Sequence, residues 1–247
     1  MIRNIFKKNK IKKIVPKAFN IYFKDEINEC VGINDIDMIC ISDTHGCLLN
    51  KDGEDYKRLV FELNNKCDVV ILLGDIRKDE LRIICNLVNR NFPIIAVKGN
   101  HDDYNQFNNF DDIIDIHNNV FEIKGIKFIG IQGCVSPYKL KCDSLYITQE
   151  DSLEFSEKME HANVIISHAC PYDRDCNLDS SAYSYDCHIG LLGTLKYFYD
   201  NRCFLNLHGH NHNTSKEDNK KMLNKGYSVS IYKIERVVIQ SKKIITF

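Results

Sequence analysis

From residue 35 onward, short apolar runs alternate along the chain with segments of helical periodicity. Six of the apolar runs are rich in Ile, Val and Leu, and several are nearly uninterrupted, which is typical of strands buried on both faces. We predict strands at residues 36–41, 69–73, 94–97, 127–132, 164–167 and 204–207. The alternation with helices indicates parallel strands joined by crossover helices, and therefore an α/β fold.

Between these runs the apolar residues follow a helical spacing. In residues 55–66, Tyr56, Leu59, Val60 and Leu63 are spaced i, i+3, i+4 and i+7, and residues 79–90 repeat that pattern. A Thr148–Asp151 capping box predicts a helix to about residue 160, and residues 191–199 form a fourth. The tail is β-rich, with short runs at residues 227–233, 236–239 and 243–247 that we expect to complete or extend a sheet.

Composition is typical of a globular protein, with 44% hydrophobic and 27% charged residues in a chain of 247. The eleven cysteines form no CxxC pair, and several lie in apolar runs. These features indicate buried thiols in a reducing compartment, so we predict a cytoplasmic protein. We expect no membrane span, because no apolar run reaches about 18 residues.

Residues 1–24 form a basic N-terminal segment with a charge of +8, whereas the whole chain carries −1, which leaves −9 for the remainder. Such a segment could contact nucleic acid or another anionic surface, or it could be a solvated terminus. We expect residues 25–247 to form a single domain, since no linker or low-complexity tract interrupts them.

Metal-binding types of side chain follow five of the predicted strands at their carboxyl ends. This is the edge of an α/β sheet at which ligands bind. Imidazole and carboxylate ligands without a thiolate suit Zn, Fe, Mn, Co or Ni. The set is large enough for two divalent ions that share a carboxylate, and it comprises Asp43, His45, Asp75, Asn100, His168, His210 and His212.

The same motifs, in order, resemble the signature of the calcineurin-like metallophosphoesterases. They are Asp43-x-His45, Gly74-Asp75, Gly99-Asn100-His101-Asp102, His168 and Gly209-His210-x-His212, and the resemblance spans about residues 36–212. The resemblance implies a four-layer α/β/β/α sandwich of two mixed sheets flanked by helices. It also implies two divalent metal ions and hydrolysis of phosphomonoesters or phosphodiesters by in-line attack of a metal-bridging hydroxide.

The resemblance further implies a role for each residue of the motifs. Asp75 would bridge the two ions, and His101 would protonate the leaving oxygen or steady the transition state. Asp102 would orient His101, or it is a solvated acid of the turn. The first ion would be held by Asp43, His45 and His212, and the second by Asn100, His168 and His210.

The segment at residues 208–212 contains both HGH and GHNH, so two sets of ligands are possible. The family pattern has glycine immediately before the first ligand, which selects His210 and His212. His208 would then end its strand and could support the ligands from behind.

A stretch of about twenty residues without periodicity follows His168. Because it begins at a predicted ligand, we expect it to overhang the site and select the substrate. Arg174 could pair with phosphate oxygens, and Tyr172 or His188 could contact a base or leaving group. The alternative is a tyrosine-bearing surface loop.

Two differences from other calcineurin-like enzymes limit the class of substrate that we expect. The Asp-Arg-Gly continuation that Ser/Thr protein phosphatases carry after the second motif is absent here, where residues 76–80 read Ile-Arg-Lys-Asp-Glu, and the chain is shorter than the large repair nucleases. We therefore expect a small phosphate ester, with nucleotides plausible. The alternatives are a nuclease whose N-terminal lysines contact DNA or RNA, and a scaffold without catalysis. The sequence does not determine the oligomeric state.

Overall fold

The computed structural model describes residues 19–22, 35–135, 145–172, 190–200, 203–212, 220–223, 226–240 and 243–246. The helices there are α1 (Glu54–Asn64), α2 (Lys78–Val88), α3 (Gln149–Lys158) and α4 (Leu192–Tyr199), with short 3-10 turns at Cys47–Leu49 and Gln106–Asn109. The strands are β1 (Phe19–Tyr22), β2 (Ile36–Ser42), β3 (Val69–Leu72), β4 (Ile94–Ala96), β5 (Ile113–Asp115), β6 (Phe121–Ile123), β7 (Ile126–Ile131), β8 (Cys134–Val135), β9 (Tyr146–Ile147), β10 (Val164–Ser167), β11 (Leu205–His208), β12 (Lys220–Leu223), β13 (Gly226–Ser230), β14 (Lys233–Gln240) and β15 (Lys243–Thr246).

Two mixed sheets contain most of these strands. The larger sheet has the order β1-β15-β14-β2-β3-β4-β5, and the smaller sheet has the order β12-β13-β11-β10-β7-β6. Strands β2 to β5 are mutually parallel, as are β7, β10, β11 and β13. Each parallel block is flanked by antiparallel strands, with β14 beside β2 and β12 beside β13.

Three hydrophobic clusters show that the layers are stacked helix, sheet, sheet, helix. One cluster lies between the sheets and joins Met38 and Ile71 to Ile166 and Leu207. A second lies between the larger sheet and helices α1 and α2, and a third between the smaller sheet and helices α3 and α4. The predicted four-layer sandwich is therefore confirmed.

The six predicted strands and four predicted helices are all present, with their ends shifted by no more than two residues. Thr148 caps α3: its hydroxyl accepts a hydrogen bond from the Asp151 backbone N–H, and the Asp151 carboxylate accepts one from Thr148 N. The predicted β-rich tail is divided between the sheets. Strand β13 pairs with β11 in the smaller sheet, whereas β14 and β15 extend the larger one.

The basic N-terminal segment is described only at Phe19–Tyr22, which pair antiparallel with β15 at the edge of the larger sheet. In the part of the chain that the structure describes, no helix combines the length and the apolar character that a bilayer crossing requires.

Candidate metal centre

The predicted ligands lie where two sets of parallel strands end. Asp43, Asp75 and Asn100 follow β2, β3 and β4 of the larger sheet. His168 follows β10 of the smaller sheet, and His210 and His212 follow β11. The two sheets are packed face to face, so their ligand-bearing ends meet at one edge of the sandwich.

Five of these residues have a left-handed backbone conformation. The φ angles of Asp43, His45, Asp75, His210 and His212 lie between 45° and 67°. For residues other than glycine this conformation costs about 1–3 kcal/mol each and persists only where the surroundings hold it. Concentration of such strain at one point is typical of a functional site.

One half of the centre is formed by Asp43, His45 and His212. The Oδ1 atom of Asp43 lies 3.1 Å from Nε2 of His212 and 4.0 Å from Nε2 of His45. The two imidazole Nε2 atoms are 3.4 Å apart. The three ligand atoms thus face a common point and could hold one metal ion.

The other half is formed around His168, which is fully buried. Its Nε2 atom lies 3.4 Å from Oδ2 of Asp75 and 3.0 Å from Oδ1 of Asn100. The His210 ring packs edge-on against His168, with 4.9 Å between ring centroids. Asp43, Asp75 and His168 also form a group whose ligand atoms are close enough for one metal ion.

Each of the two carboxylates has one oxygen bound by the protein and a second that faces the centre. In Asp43, Oδ2 accepts hydrogen bonds from the Ser42 hydroxyl and from the His210 backbone N–H. In Asp75, Oδ1 accepts the backbone N–H of His101. The remaining oxygens point toward the imidazoles of both halves.

The hydrogen-bonding pattern around His168 favours a positive charge at its Nε2 atom. Its Nδ1 atom lies 2.7 Å from the Leu73 carbonyl oxygen, which can only accept, so Nδ1 carries the proton. In the neutral ring Nε2 then presents a lone pair, and it faces oxygens of Asp75 and Asn100 that also present lone pairs. Three electron pairs directed at one point require a positive charge between them, which either a metal ion or a second proton on the His168 ring supplies.

Electrostatics lead to the same conclusion. Burial alone would lower the pKa of His168, but the neighbouring Asp75 and Asp43 carboxylates raise it to about 9. Burial alone would raise the pKa of Asp75, but His168 and the His101 backbone N–H hold it well below its usual range. The hydrogen bond with Asp43 likewise raises the pKa of His212. The carboxylates are therefore charged, and their field favours cations.

Two glycines of the motifs allow the chain to approach the carboxylates closely. A Cβ atom on Gly99 would lie 2.1 Å from Oδ1 of Asp75, and one on Gly209 would lie 2.4 Å from Oδ2 of Asp43. Real atoms do not approach so closely, so any side chain at these positions would displace a carboxylate.

The two residues with predicted catalytic roles have different surroundings. The His101 ring is exposed and lies 5.6 Å, between centroids, from the ring of His45. The Asp102 carboxylate accepts three backbone hydrogen bonds, from Asp75, Ile76 and Gly99. Burial raises the pKa of Asp102 to about 6, although the Gly99 hydrogen bond opposes the shift. Asp102 thus ties together the loops that follow β3 and β4.

The structure also distinguishes the histidines at residues 208–212. His208 is buried, and burial lowers its pKa to about 4. Its Nδ1 atom lies 3.1 Å from the Gly209 carbonyl oxygen. His212 contacts Asp43, and His210 packs on His168, which supports the GHNH set of ligands.

Three further residues that the sequence analysis did not identify as functional lie at the site. Tyr146 accepts a hydrogen bond of 3.2 Å from the Asn100 amide through its hydroxyl. Glu80 is buried beneath the loop that carries His45. The Arg77 guanidinium packs over Gly46, at 3.0 Å from where a Cβ would lie. The position of Arg77 two residues after Asp75 is a sequence signal that could have identified it.

Of the predicted substrate residues, Tyr172 is half-buried, and its backbone N–H donates to the Leu191 carbonyl oxygen at 3.0 Å. Arg174 and His188 lie outside the described residues, so their predicted contacts with substrate stay predictions.

The sequence model of the calcineurin-like phosphoesterase superfamily domain matches residues 36–170, which is more than half of the chain. The chain belongs to this superfamily. The matched region ends before His210 and His212, so their place in the site rests on the geometry described above. A search of curated protein sequences finds no match.

Solved structures show the same fold at low sequence identity. The protein TT1561 of Thermus thermophilus has a TM-score of 0.58 at 14% identity, over 86% of this chain and 98% of its own. The phosphopantetheinyl hydrolase PptH of Mycobacterium tuberculosis has a TM-score of 0.52 at 13% identity, over 82% and 91%. GAP50, the anchor in the inner membrane complex of Plasmodium, has a TM-score of 0.51 at 12% identity, over 86% and 84%. A protein named as a hydrolase and a protein named as an anchor thus share this fold. The fold alone therefore does not determine function, which must be argued from the site.

Proposed function

We propose that this protein is a two-metal phosphoesterase that hydrolyses small phosphomonoesters or phosphodiesters, with nucleotides among the candidate substrates. Membership of the phosphoesterase superfamily supports a phosphoric ester hydrolase. The arrangement of ligands supports the two-metal form of the reaction.

The observation that carries the proposal is the position of one carboxylate oxygen. Oδ2 of Asp75 lies 3.9 Å from Nε2 of His45 and 3.4 Å from Nε2 of His168. These imidazoles belong to the two halves of the centre, so a single oxygen faces both. This is the placement that a bridging ligand between two ions needs.

The proposed ligands divide accordingly. Asp43, His45 and His212 would hold one ion, Asn100, His168 and His210 the other, and Asp75 would contact both. Nitrogen and oxygen ligands of this kind suit Mn, Fe, Zn, Co or Ni. When bound, two such ions lower the pKa of water toward about 7 and neutralise charge on the phosphate.

The charge of the site selects the substrate class. Asp43 and Asp75 contribute −2 against +4 from two divalent ions, so the loaded centre is positive and attracts phosphate. Arg77, which is exposed beside Gly46 at the edge of the centre, adds a further cation. Its planar guanidinium matches two phosphate oxygens.

The roles of the remaining residues follow from where they lie. Phosphoryl transfer depends mainly on positioning and on neutralising charge. His101, which is exposed beside His45, would give a proton to the departing ester oxygen. Asp102 keeps the loops after β3 and β4 together, so that Asp75 and Asn100 hold their relative position.

The seven cysteines among the described residues are free thiols. This is consistent with the reducing, cytoplasmic compartment that we propose.

The test is a substrate panel with metal-reconstituted protein. Metal-free protein is loaded with Mn²⁺, Zn²⁺, Co²⁺ or Ni²⁺, and anaerobically with Fe²⁺. It is then offered p-nitrophenyl phosphate, bis-p-nitrophenyl phosphate, nucleoside monophosphates, cyclic nucleotides and single-stranded DNA. We expect metal-dependent release of phosphate or of an alcohol from the small esters. Loaded protein that is inert toward every compound would overturn the proposal.

A nuclease is the second candidate, because the basic N-terminal segment could hold a phosphate backbone. Salt separates the two functions. Binding of a protein to a nucleic acid backbone weakens steeply as salt rises, whereas hydrolysis of a small ester changes little. Loss of activity on DNA between about 50 and 200 mM salt, with no activity on small esters, would favour the nuclease.

A further inference from the structure

Glu80 is a fully buried acid in the first turn of α2, outside the set of candidate ligands. Its carboxylate lies under residues 44–48, the loop that follows β2 and carries His45. Acids are common in the first turn of a helix, where the dipole favours them. Complete burial is exceptional for a glutamate, and it requires that the carboxylate be satisfied by hydrogen bonds.

Four hydrogen-bond donors satisfy the buried Glu80 carboxylate. Oε2 accepts the Thr44 hydroxyl at 2.8 Å, the Gly46 backbone N–H at 2.9 Å and the Arg77 backbone N–H at 3.0 Å. Oε1 accepts the Leu48 backbone N–H at 2.9 Å. Three of the four donors belong to the loop at residues 44–48. The carboxylate therefore binds this loop to the start of α2.

His45 lies between two of those donors. Its φ is 45°, a conformation that a residue other than glycine adopts only when its surroundings hold it. The His45 side chain is 40% exposed, so packing alone does little to fix it. Its position depends on the backbone of the loop, and Glu80 holds the loop on both sides of it, through the Thr44 hydroxyl and the Gly46 backbone N–H.

We propose that Glu80 is a positioning residue that presents His45 to the centre, so that the metal position formed with Asp43 and His212 depends on it. This inference rests on the proposed two-metal function. Glu80 itself touches neither substrate nor metal. It acts through the loop.

Other contacts hold the ligands of the second metal position, which Asn100 and His168 help to form. The amide of Asn100 is held by Tyr146, and His168 is held by the Leu73 carbonyl oxygen. Neither contact involves Glu80. Weakening the Glu80 anchor should therefore affect one metal position and spare the other, which an overall loss of stability would not do.

Glu80→Gln tests this with little change in size. A carboxylate only accepts, whereas an amide presents an NH₂ group on one side. If the NH₂ group of the glutamine takes the place of Oε1, this group faces the Leu48 N–H. If the NH₂ group takes the place of Oε2, it faces the other three donors. Either orientation sets donor against donor and loosens the loop.

The experiment is calorimetric titration of Mn²⁺ into metal-free protein. We expect wild type to bind two ions. Mutating residues that support metal ligands typically costs about 10–100-fold in affinity, and we expect Glu80→Gln to weaken one of the two binding events by that factor. The other event should keep its affinity. Two ions bound as in wild type would overturn the inference, as would equal weakening of both events.

Glu62→Gln is the matched control. Glu62 is a second buried glutamate, in α1, and its Oε2 lies 3.2 Å from Nη1 of Arg236. We expect Glu62→Gln to lower thermal stability while both Mn²⁺ affinities stay as in wild type. Should it weaken the same metal position as Glu80→Gln, a general loss of stability would explain both, and the inference would be wrong.

Thr44→Val and Thr44→Ser provide a milder pair if Glu80→Gln does not fold. Valine removes one of the four donors to Glu80, whereas serine keeps it. We expect valine, but not serine, to weaken one Mn²⁺ binding event. Equal affinities in the two variants would contradict the role of Glu80. If wild type binds fewer than two ions, the proposed two-metal function fails instead.

Discussion

Nε2 of His168 lies 3.4 Å from Oδ2 of Asp75, although the two residues follow strands of different sheets. His168 comes after β10 in the smaller sheet, and Asp75 comes after β3 in the larger one. A metal ion held by both would therefore join the two halves of the sandwich. Binding of metal should then be coupled to stability of the whole fold, because the unfolded chain cannot offer the same ligands together.

Removal of metal should lower the melting temperature. A ligand present at about 100 times its dissociation constant stabilises the folded state by about 2.7 kcal/mol. For a chain of this size, each kcal/mol shifts the melting temperature by about 2–4 °C, so we expect a decrease of about 5–10 °C. Calorimetry before and after dialysis against a chelator measures it.

Re-addition of Mn²⁺ should restore the original melting temperature, whereas Mg²⁺, which prefers oxygen ligands, should do so poorly. An unchanged melting temperature after complete removal of metal, checked by elemental analysis, would show that the ions do not join the sheets.

Replacing Asp75 by asparagine should abolish turnover and leave the protein folded. The amide keeps the size of the side chain and loses the charge that faces both His45 and His168. Loss of a bridging ligand removes several kcal/mol of charge stabilisation, which corresponds to at least about 100-fold in kcat. Turnover of p-nitrophenyl phosphate is measured together with metal content and far-UV circular dichroism.

Asp79→Asn is the control for that substitution, since Asp79 is an exposed acid in the first turn of α2 that pairs with Arg82. We expect it to keep wild-type turnover. Substantial activity in Asp75→Asn, with two ions still bound, would contradict the bridging role.

The candidate ligands could be predicted from the sequence because each follows a recognisable buried strand. Asp43 and Asp75 come directly after continuous apolar runs, and parallel strands bring their carboxyl ends to one edge. The division of strands between two sheets could not be predicted in the same way. Strands β5 and β6 have three residues each, too few to show a period, and the chain passes from one sheet to the other between them.

Glu80 and Tyr146, which contact the candidate ligands or their loops, could not be identified from the sequence for a different reason. Glu80 lies in an amphipathic helix, at a position where an acid is ordinary, and only its burial shows that it contacts the loop of His45. Tyr146 is 46 residues from Asn100 in sequence and lies in a strand of two residues. Contacts of this kind depend on tertiary packing, which local patterns of polar and apolar residues do not encode.

Tyr146→Phe should weaken metal binding without unfolding the protein. The Tyr146 hydroxyl accepts a hydrogen bond from Nδ2 of Asn100, which leaves Oδ1 directed toward His168. Without that acceptor the amide can rotate and present its NH₂ group to the centre. We expect the affinity for one Mn²⁺ ion to fall by about tenfold, the lower end of such effects. Titration calorimetry measures it.

Tyr199→Phe serves as the control, because Tyr199 is an exposed residue at the end of α4. It should bind both ions with wild-type affinity. If Tyr146→Phe does so as well, the orientation of Asn100 does not depend on this hydrogen bond.

Arg77→Ala should reduce hydrolysis of phosphate esters through weaker binding of the phosphate group. The exposed guanidinium packs over Gly46, the residue next to His45, so it lies at the edge of the centre. A hydrogen bond to a charged group contributes about 1.5–3 kcal/mol, which corresponds to about 10–100-fold in kcat/KM. We expect most of the loss in KM, partial recovery in Arg77→Lys, and a weaker affinity for inorganic phosphate in calorimetry.

Arg82→Ala is the control, because it removes an exposed arginine of α2 that pairs with Asp79. It should leave kcat/KM, KM and the affinity for inorganic phosphate unchanged. If both substitutions have the same effect, Arg77 contributes only to the general surface charge and does not bind phosphate.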